Sequence, residues 1–146
     1  MMKVSTKGRY ALRLMIDLAE HYGNDFVPLK DVSTRQGISM RYLEQIISSL
    51  VKARLVLSYR GKTGGYKLSK HPSDISAADI LKVCEGPITP LSCLDKDCTP
   101  CPRASSCPSH HFWAGLQSVI SDYLSAISLD DLKNSDFISS EHPHCL

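Results

Sequence analysis

Residues 30–51 read KDVSTRQGISMRYLEQIISSLV, and the fold class depends on them. The part KDVSTRQ predicts a brief helix that ends at Gly37, and Ser39 is a residue type that caps the start of a new helix. The second helix has apolar residues at the spacing i, i+3, i+4, i+7, i+8, namely Leu43, Ile46, Ile47, Leu50 and Val51. Two helices joined by a short turn that contains glycine are typical of a helix-turn-helix. Any helical hairpin gives the same pattern, so the neighbouring residues must decide.

The next residues predict a β-hairpin. LVLSYR (55–60) and YKLS (66–69) are strand-like runs, and the glycine-rich turn GKTGG (61–65) separates them. Arg60 and Lys62 make this turn basic. A hairpin directly after a helix-turn-helix is the wing of a winged helix, and its basic tip can lie on phosphates or enter the minor groove of DNA. We therefore predict a mainly α fold with a small β-hairpin, a winged helix-turn-helix domain followed by a long C-terminal dimerisation helix.

Helical periodicity also appears on both sides of this unit. Apolar residues recur at helical spacing from Tyr10 to Tyr22, and Ser76 opens another helix that ends at Gly86. Residues 109–128 form a long amphipathic helix that must pack on the front domain or on a second copy of the chain. A symmetric homodimer would suit a palindromic operator in double-stranded DNA, and we predict that arrangement.

The periodicity predicts four parts in the chain. Residues 1–86 hold the winged helix-turn-helix domain with its following helix, 87–108 a cysteine-rich loop, 109–132 the dimerisation helix, and 133–146 a disordered tail. A loop of about twenty residues without periodic structure is unusual in so short a chain. We therefore expect something bound to organise it.

Charge is divided unevenly along the chain. Residues 1–72 hold 13 Lys and Arg against 5 Asp and Glu, a net charge of +8, whereas residues 73–146 hold 4 against 10, a net charge of −6. A basic front half suggests a nucleic-acid surface, although a solvated basic face gives the same count. No apolar run is long enough to span a membrane, and basic residues interrupt any signal-peptide core in residues 1–15. We expect a cytoplasmic protein without a membrane partner. The absence of a phosphate loop or of a nucleophile with a base predicts that it is not an enzyme.

Residues 93–113 read CLDKDCTPCPRASSCPSHHFW. This stretch holds four cysteines, Cys93, Cys98, Cys101 and Cys107, with four, two and five residues between successive ones. The first histidine, His110, follows Cys107 after two intervening residues. In a reducing compartment, crowded cysteines favour metal ligands or redox thiols over structural disulfides. Soft thiolates suit both zinc and iron–sulfur clusters, and spacing alone does not choose between them. A structural zinc knuckle and a disulfide-forming thiol switch stay open as alternatives.

Five stretches of the chain together resemble the Rrf2 family of bacterial transcription regulators. They are MKVSTKGRYAL (2–12), QGISMRYLEQI (36–46), RGKTGGYKLSK (60–70), EGPI (85–88) and the cysteine loop that runs into a helix with a tryptophan. The resemblance covers nearly everything from Met2 to about Leu132. It implies a winged-helix dimer joined through the long C-terminal helix, and we expect a repressor.

The resemblance also implies a ligand set. Well-known members hold a [2Fe–2S] cluster with three cysteines and a histidine. The matching positions here are Cys93, Cys101, Cys107 and His110. The chain departs from the pattern because seven residues rather than five separate the first two ligands, and because Cys98 lies in that gap and could replace His110. Other members carry a nitric-oxide-sensing [4Fe–4S] cluster and borrow a carboxylate from the partner, for which the matching position here is Arg9. We expect [2Fe–2S], with [4Fe–4S] as the alternative.

For DNA contacts, the resemblance implies a set of residues on the second helix of the motif and on the wing. They are Ser39, Arg41, Tyr42, Glu44 and Gln45 at the groove and Arg60 at the wing tip, beside which we expect Lys62 to contact phosphate. The chemistry agrees, because arginine can donate a fork to guanine, glutamine can pair with adenine and glutamate can accept from cytosine.

Three other functions remain open. Some family members lack a cluster and respond to cysteine metabolism, and a zinc-stabilised regulator would use the same thiols. A small electron carrier is the third, although a basic front half would then be unnecessary.

Overall fold

The computed structural model describes residues 3–96 and 98–134. Within them the α-helices are α1 (Thr6–Glu20), α2 (Leu29–Gln36), α3 (Met40–Lys52), α4 (Ala77–Glu85), α5 (His110–Ala126) and α6 (Leu129–Asn134), and the strands are β1 (Val56–Tyr59) and β2 (Gly65–Leu68). Short 3₁₀ turns occupy Pro72–Asp74 and Ser92–Leu94. The predicted fold class, mainly α with one antiparallel β-hairpin, is confirmed.

One hydrophobic core joins the front helices to the hairpin. Its fully buried members come from α1, α2, α3, β1, α4 and α6 and include Leu14, Met15, Val32, Leu43, Ile46, Leu50, Val56, Ile80 and Leu129. Removing this apolar surface from water is the main force that holds the elements together. Because Leu129 belongs to the core, the chain returns to the front domain after α5.

Hydrogen bonds within a few residues fix the turn between α2 and α3. Gly37 adopts a left-handed conformation with φ of 64°, and its N–H donates to the Ser33 carbonyl at 2.9 Å. The Ser33 hydroxyl donates to the Ile38 carbonyl at 2.6 Å. Ser39 then caps α3, since its hydroxyl accepts from the N–H of Tyr42 at 3.3 Å. The predicted stop at Gly37 and cap at Ser39 are confirmed.

The wing is a two-stranded hairpin anchored to the connector before α2. β1 and β2 pair antiparallel with Tyr59 opposite Gly65. Val27 and Tyr66 exchange two backbone hydrogen bonds of 2.8 Å, which adds the connector to the edge of β2. A Cβ at Gly65 would overlap the Val27 carbonyl, so glycine allows this close approach. The anchoring holds the wing at the side of α3.

The helix that the periodicity predicts over 109–128 is observed as α5, and the wider range 109–132 assigned to the dimerisation helix also includes most of a second helix, α6. Between them the Ile127 carbonyl accepts from the N–H of Ala77 at 2.8 Å, and the N–H of Leu129 donates to the Ile75 carbonyl at 2.9 Å. These bonds take backbone groups that a continuous helix would use for itself.

The predicted tail falls mostly outside the described residues, which end at Asn134. Its first two residues, Lys133 and Asn134, are helical and complete α6, so the tail cannot begin at 133. The Lys133 ammonium lies 3.0 Å from the Asp130 carboxylate one turn earlier, which favours the helix. No helix of residues 3–96 and 98–134 is long and apolar enough to cross a membrane.

Candidate nucleic-acid interface and cysteine segment

α3 presents a polar face on the side opposite the core. Arg41, Glu44 and Gln45 are exposed, whereas Leu43 and Ile46 of the same helix are fully buried. The buried stripe therefore fixes the rotation of the helix, and the three polar side chains point to solvent as the pattern predicted. An exposed guanidinium, carboxylate and carboxamide on one helix face can read base edges in a major groove.

Ser39 and Tyr42, also predicted at the groove, have structural contacts of their own. Ser39 is exposed while capping α3. Tyr42 is half-buried, and its ring meets the edge of Tyr10 from α1 with the ring centroids 5.5 Å apart. The guanidinium of Arg13 lies 5.5 Å from the centre of the Tyr10 ring. Tyr42 therefore links the start of α3 to α1.

The wing and α3 line one concave surface of about 370 Å³. Glu44, Ser48 and Lys52 line it from the helix, and Tyr59 and Arg60 line it from the hairpin. The structure thus brings together predicted residues from both elements. Ser48, Lys52 and Tyr59 were not among the predicted site residues. The sequence could have indicated Ser48 and Lys52, because they follow Glu44 by four and eight residues and so lie on the same exposed face of α3.

The wing and the connector before α2 together carry a small aromatic cluster. Tyr59 remains 56% exposed and its ring lies 5.4 Å from that of Phe26, centroid to centroid. The Lys67 ammonium lies 4.7 Å from the centre of the Phe26 ring. Arg60 and Lys62 follow in the exposed turn. The two aromatic rings therefore lie beside the exposed cations Arg60 and Lys62.

A buried carboxylate fastens α2 to α1 behind the recognition surface. The Arg35 guanidinium donates to both oxygens of Asp17, at 3.0 and 2.7 Å, and the Gln36 amide donates at 2.9 Å. Burial by itself would raise the pKa of Asp17, but the hydrogen bonds from Arg35 and Gln36 and the charges of Arg35 and His21 lower it below its ordinary value. The ion pair holds the first helix of the motif in place.

Asp17 also belongs to a group of three residues with metal-binding atoms close together. Within residues 3–96 and 98–134, such atoms lie within 4.8 Å of one another only in Asp17, Glu20 and His21. Because Arg35 already takes both oxygens of the Asp17 carboxylate, a second cation would be repelled there. We assign this group a structural role.

Four cysteines lie on the segment between α4 and α5. Cys93 and Cys98 are exposed and Cys101 and Cys107 are half-buried, and none of these described cysteines forms a disulfide. The Cys98 thiol donates to the Asp95 carboxylate at 3.6 Å. The predicted histidine ligand, His110, is the first residue of α5, where its N–H donates to the Cys107 carbonyl at 3.3 Å.

Cys107 has the most distinctive surroundings of the four. Hydrogen bonds from the Ser109 hydroxyl and then the Ser109 and His110 backbone lower the pKa of its thiol below the ordinary value. The Cys107 sulfur and the Ser109 hydroxyl oxygen are 3.5 Å apart. A lowered pKa favours the thiolate, which is the form that binds metal.

Within the described residues, the cysteine segment presents no preformed shell around a single metal ion. In the part of the chain that the structure describes, no three ligand atoms of the cysteine segment lie within 4.8 Å of one another. Four thiolates at the zinc–sulfur distance of about 2.3 Å would lie only about 4 Å apart. A cluster distributes its protein ligands over two or more irons, so they do not converge on one point. The cysteine thiols of the segment are soft donors of the kind that both zinc and iron–sulfur clusters take.

Side chains of α5 tie the cysteine segment to the helix and leave an apolar face open. The Gln117 amide donates to the Ile88 carbonyl at 3.1 Å, which attaches the start of the segment to α5. On another face Phe112 and Val119 are 67% and 66% exposed, with Leu116 and Tyr123 exposed between and after them. These four residues, hereafter the α5 stripe, form a row of large apolar side chains that an isolated chain leaves in water.

Comparisons with known proteins agree with this architecture. The family model for Rrf2, described as an iron-dependent transcriptional regulator, matches residues 4–135. The chain is 42% identical over 131 residues to the HTH-type transcriptional regulator IscR of Aliivibrio salmonicida, a match that covers 90% of this chain and 77% of that protein.

Two solved structures extend the comparison. CymR, the global cysteine regulator of B. subtilis, has a TM-score of 0.76 at 38% identity over 92% of this chain and 98% of that one. T. potens IscR has a TM-score of 0.71 at 38% identity over 97% and 94% of the respective chains. These relatives are named as regulators, and none is named as an enzyme. Sequence motifs, fold and relatives lead to one conclusion: the chain belongs to the Rrf2 family of transcriptional regulators.

Proposed function

We propose that the chain is a homodimeric transcription repressor whose affinity for a palindromic operator depends on an iron–sulfur cluster. One observation carries the DNA-binding part: the exposed polar face of α3 and the basic turn of the wing border the same concave surface. Lys52 and Arg60 are the cations that line this surface, and they can contact the phosphates of a duplex lying across it. A repressor of this kind works in the cytoplasm, where we place it.

Five of the seven predicted DNA contacts have a chemical role in this proposal. Arg41 donates to guanine, Gln45 pairs with adenine and Glu44 accepts from cytosine in the major groove. Arg60 and Lys62 contact phosphates or enter the minor groove. Their contacts depend less on the base sequence of the DNA than those of α3 do. The base contacts thus select the operator, whereas the wing adds affinity.

We place the dimer interface on the α5 stripe. Pairing the stripe with its copy in a second chain would remove large apolar surfaces from water and set two recognition helices about a two-fold axis. α6 returns to the core of its own chain, so within the segment 109–132 the interface belongs to α5 alone. In this proposal residues 1–86 form the DNA-binding domain with its following helix, and residues 87–108 form the cluster-binding loop.

Three thiolates and one imidazole are the proposed cluster ligands: Cys93, Cys101, Cys107 and His110, with Cys98 as the alternative fourth ligand. Support comes from the donor chemistry and from relatives named IscR. We prefer [2Fe–2S] over [4Fe–4S]. The cluster supplies a reversible redox centre when bound. His110 begins α5, so holding or releasing a ligand there changes how the dimerisation helix joins the cysteine segment and, through the dimer, how the two wings are spaced.

A cluster-free or zinc-stabilised regulator of cysteine or sulfur metabolism is the second candidate. The likeness to the cysteine regulator CymR favours it, since that structure covers 92% of this chain. An electron carrier is less well supported, because it has no use for the recognition surface of α3 and the wing.

Two measurements on one anaerobic preparation separate these functions. Gel shifts compare genomic operator candidates with scrambled duplexes of the same length, and iron and acid-labile sulfide are counted per chain. The proposal expects sequence-dependent binding together with iron and sulfide. Equal affinity for every duplex would contradict the regulator, and stoichiometric zinc without sulfide, even after reconstitution, would favour the second candidate.

A further inference from the structure

A carboxylate from the end of α4 caps the N-terminus of α1 together with Ser5, whose hydroxyl accepts from the N–H of Gly8 at 3.3 Å. Glu85 Oε1 accepts from the backbone N–H groups of Ser5, at 3.1 Å, and Gly8, at 3.0 Å, and the Ser5 hydroxyl donates to the same oxygen. The first turn of α1 holds no acidic residue of its own. Glu85 therefore supplies an acceptor for N–H groups at the helix start, together with the negative charge that the helix dipole favours there.

Gly8 makes room for this carboxylate. It is buried within α1, where glycine is a poor helix former. A Cβ at residue 8 would overlap Glu85 Oε1, so another residue type would displace the carboxylate or the helix. The contact with Glu85 therefore explains a glycine that helix propensity alone would disfavour.

Glu85 also stands where the cysteine segment begins. α4 ends at Glu85, and Gly86, with φ of 72°, turns the chain into the segment that carries Cys93. On its other side α1 supports the recognition helix, because Tyr10 packs against Tyr42. The Glu85 side chain thus connects the beginning of the cysteine segment to α1, the helix that supports α3.

We infer that Glu85 is a positioning residue that couples the state of the cysteine segment to the orientation of α3. The inference rests on the proposed function. While the cysteines hold their cluster, the segment is fixed and keeps Glu85 on the first turn of α1. Without the cluster, the segment no longer holds Glu85 in place, and its exposed bond to Ser5 and part-buried bond to Gly8 open more often. The first turn of α1 then frays, and Tyr10, about one turn further on, loosens against Tyr42.

Glu85→Ala tests the coupling, with Asp74→Ala as the matched control. Asp74 is an exposed acidic residue outside the contact, so both variants remove one negative charge. Fluorescence anisotropy gives the operator affinity of cluster-loaded and cluster-free protein at one salt concentration, and iron and sulfide per chain verify loading. Wild type and Asp74→Ala should keep a ratio between the two affinities of about 5-fold or more, whereas in Glu85→Ala the ratio should fall within about twofold of unity.

The outcomes separate the inference from the proposed function. A loaded Glu85→Ala protein with the wild-type ratio would overturn the inference and leave the proposed function standing. Equal affinities of the two wild-type forms would overturn both.

Hydrogen exchange in wild-type protein adds a readout that needs no variant. The amides of Ser5 and Gly8 donate to Glu85, so they should exchange more slowly in cluster-loaded than in cluster-free protein. Equal exchange at both amides in the two forms would overturn the inference, even if Glu85→Ala failed to fold.

Discussion

The winged helix-turn-helix domain and the segment from Pro87 to Ala126 hold their structure by different means. The domain buries residues from all of its helices and both strands in one core, and local caps define where its helices begin. By contrast, none of the described residues 87–96 and 98–126 is buried, although they include the 17-residue helix α5. The domain is complete within one chain, whereas the segment lacks a core of its own. Within one chain the segment is held by the packing of α5 on α4 and by the bond from Gln117 to Ile88, and under the proposed function a cluster and a second chain add to these contacts.

Loss of a cysteine ligand should give the largest effect, because the segment depends on what it binds. Cys93→Ala, Cys101→Ala and Cys107→Ala should each abolish cluster retention, since the remaining donors cannot complete the coordination of iron. Cys98→Ala is the matched control and should leave iron and sulfide per chain unchanged, while His110→Ala should alter the absorption spectrum. Loss of the cluster in Cys98→Ala with retention in His110→Ala would instead identify an all-cysteine site.

A charge on the α5 stripe should separate the dimer and leave the front domain folded. Val119→Lys places two ammonium groups near the two-fold axis, and burying each charge costs several kcal/mol, so we expect dimerisation to weaken by about 4 kcal/mol or more. Sedimentation velocity over a range of concentrations measures this change. Ser118→Lys adds the same charge to an exposed position beside the stripe and should remain dimeric. Dimers of equal stability in both variants would place the interface elsewhere.

Within the front domain, the Asp17–Arg35 pair should control stability and its dependence on pH. The lowered pKa of Asp17 means that its contribution is full above the ordinary value of 3.8 and is lost as pH falls through the folded-state pKa. Asp17→Asn should cost about 3 kcal/mol at neutral pH, at the low end for a buried pair because Arg35 keeps 36% of its side chain exposed.

Urea unfolding at pH 7 and pH 3 measures both effects. The stability of Asp17→Asn should fall less between these pH values than that of wild type. Asp74→Asn is the surface control and should follow wild type. The same acid dependence in Asp17→Asn and wild type would show that another group controls it.

Two substitutions on the recognition surface should give smaller and qualitatively different effects. Arg41→Ala should relax base preference at a cost of roughly 1–3 kcal/mol for its preferred base pair, because a bidentate guanine contact is lost. Lys62→Ala should weaken binding to all sequences alike and reduce the salt slope by about one unit. Anisotropy titrations on operator variants at several salt concentrations measure both. If both variants lost affinity equally for all sequences, α3 would not be the element that reads the bases.

Short-range signals predicted the domain well. Gly37 and Ser39 stop and cap adjacent helices within a few residues, so the helix-turn-helix followed from the sequence. Ser76, predicted to open a helix, likewise begins α4 and forms a capping box with Asp79. The basic, glycine-rich turn that follows Arg60 indicated the wing, because a turn is also encoded within a few residues.

Features that depend on distant residues were missed. α1 was predicted from Tyr10 but begins at Thr6, where Ser5 caps it and Glu85, from far along the chain, supplies a second acceptor. The break before α6 depends on backbone pairing with residues 75–77. No local pattern marks the burial of Asp17, and Tyr59 joins the candidate interface only once the wing folds beside α3.

The most direct test of the central claim is the operator affinity of one anaerobic preparation before and after its cluster is removed, with a scrambled duplex of equal length as reference. We expect both forms to remain dimeric and folded while their preference for the operator differs by about 5-fold or more. Equal operator affinity of the two forms, with iron and sulfide verified in the first and absent from the second, would contradict the claim that the cysteine segment controls DNA binding.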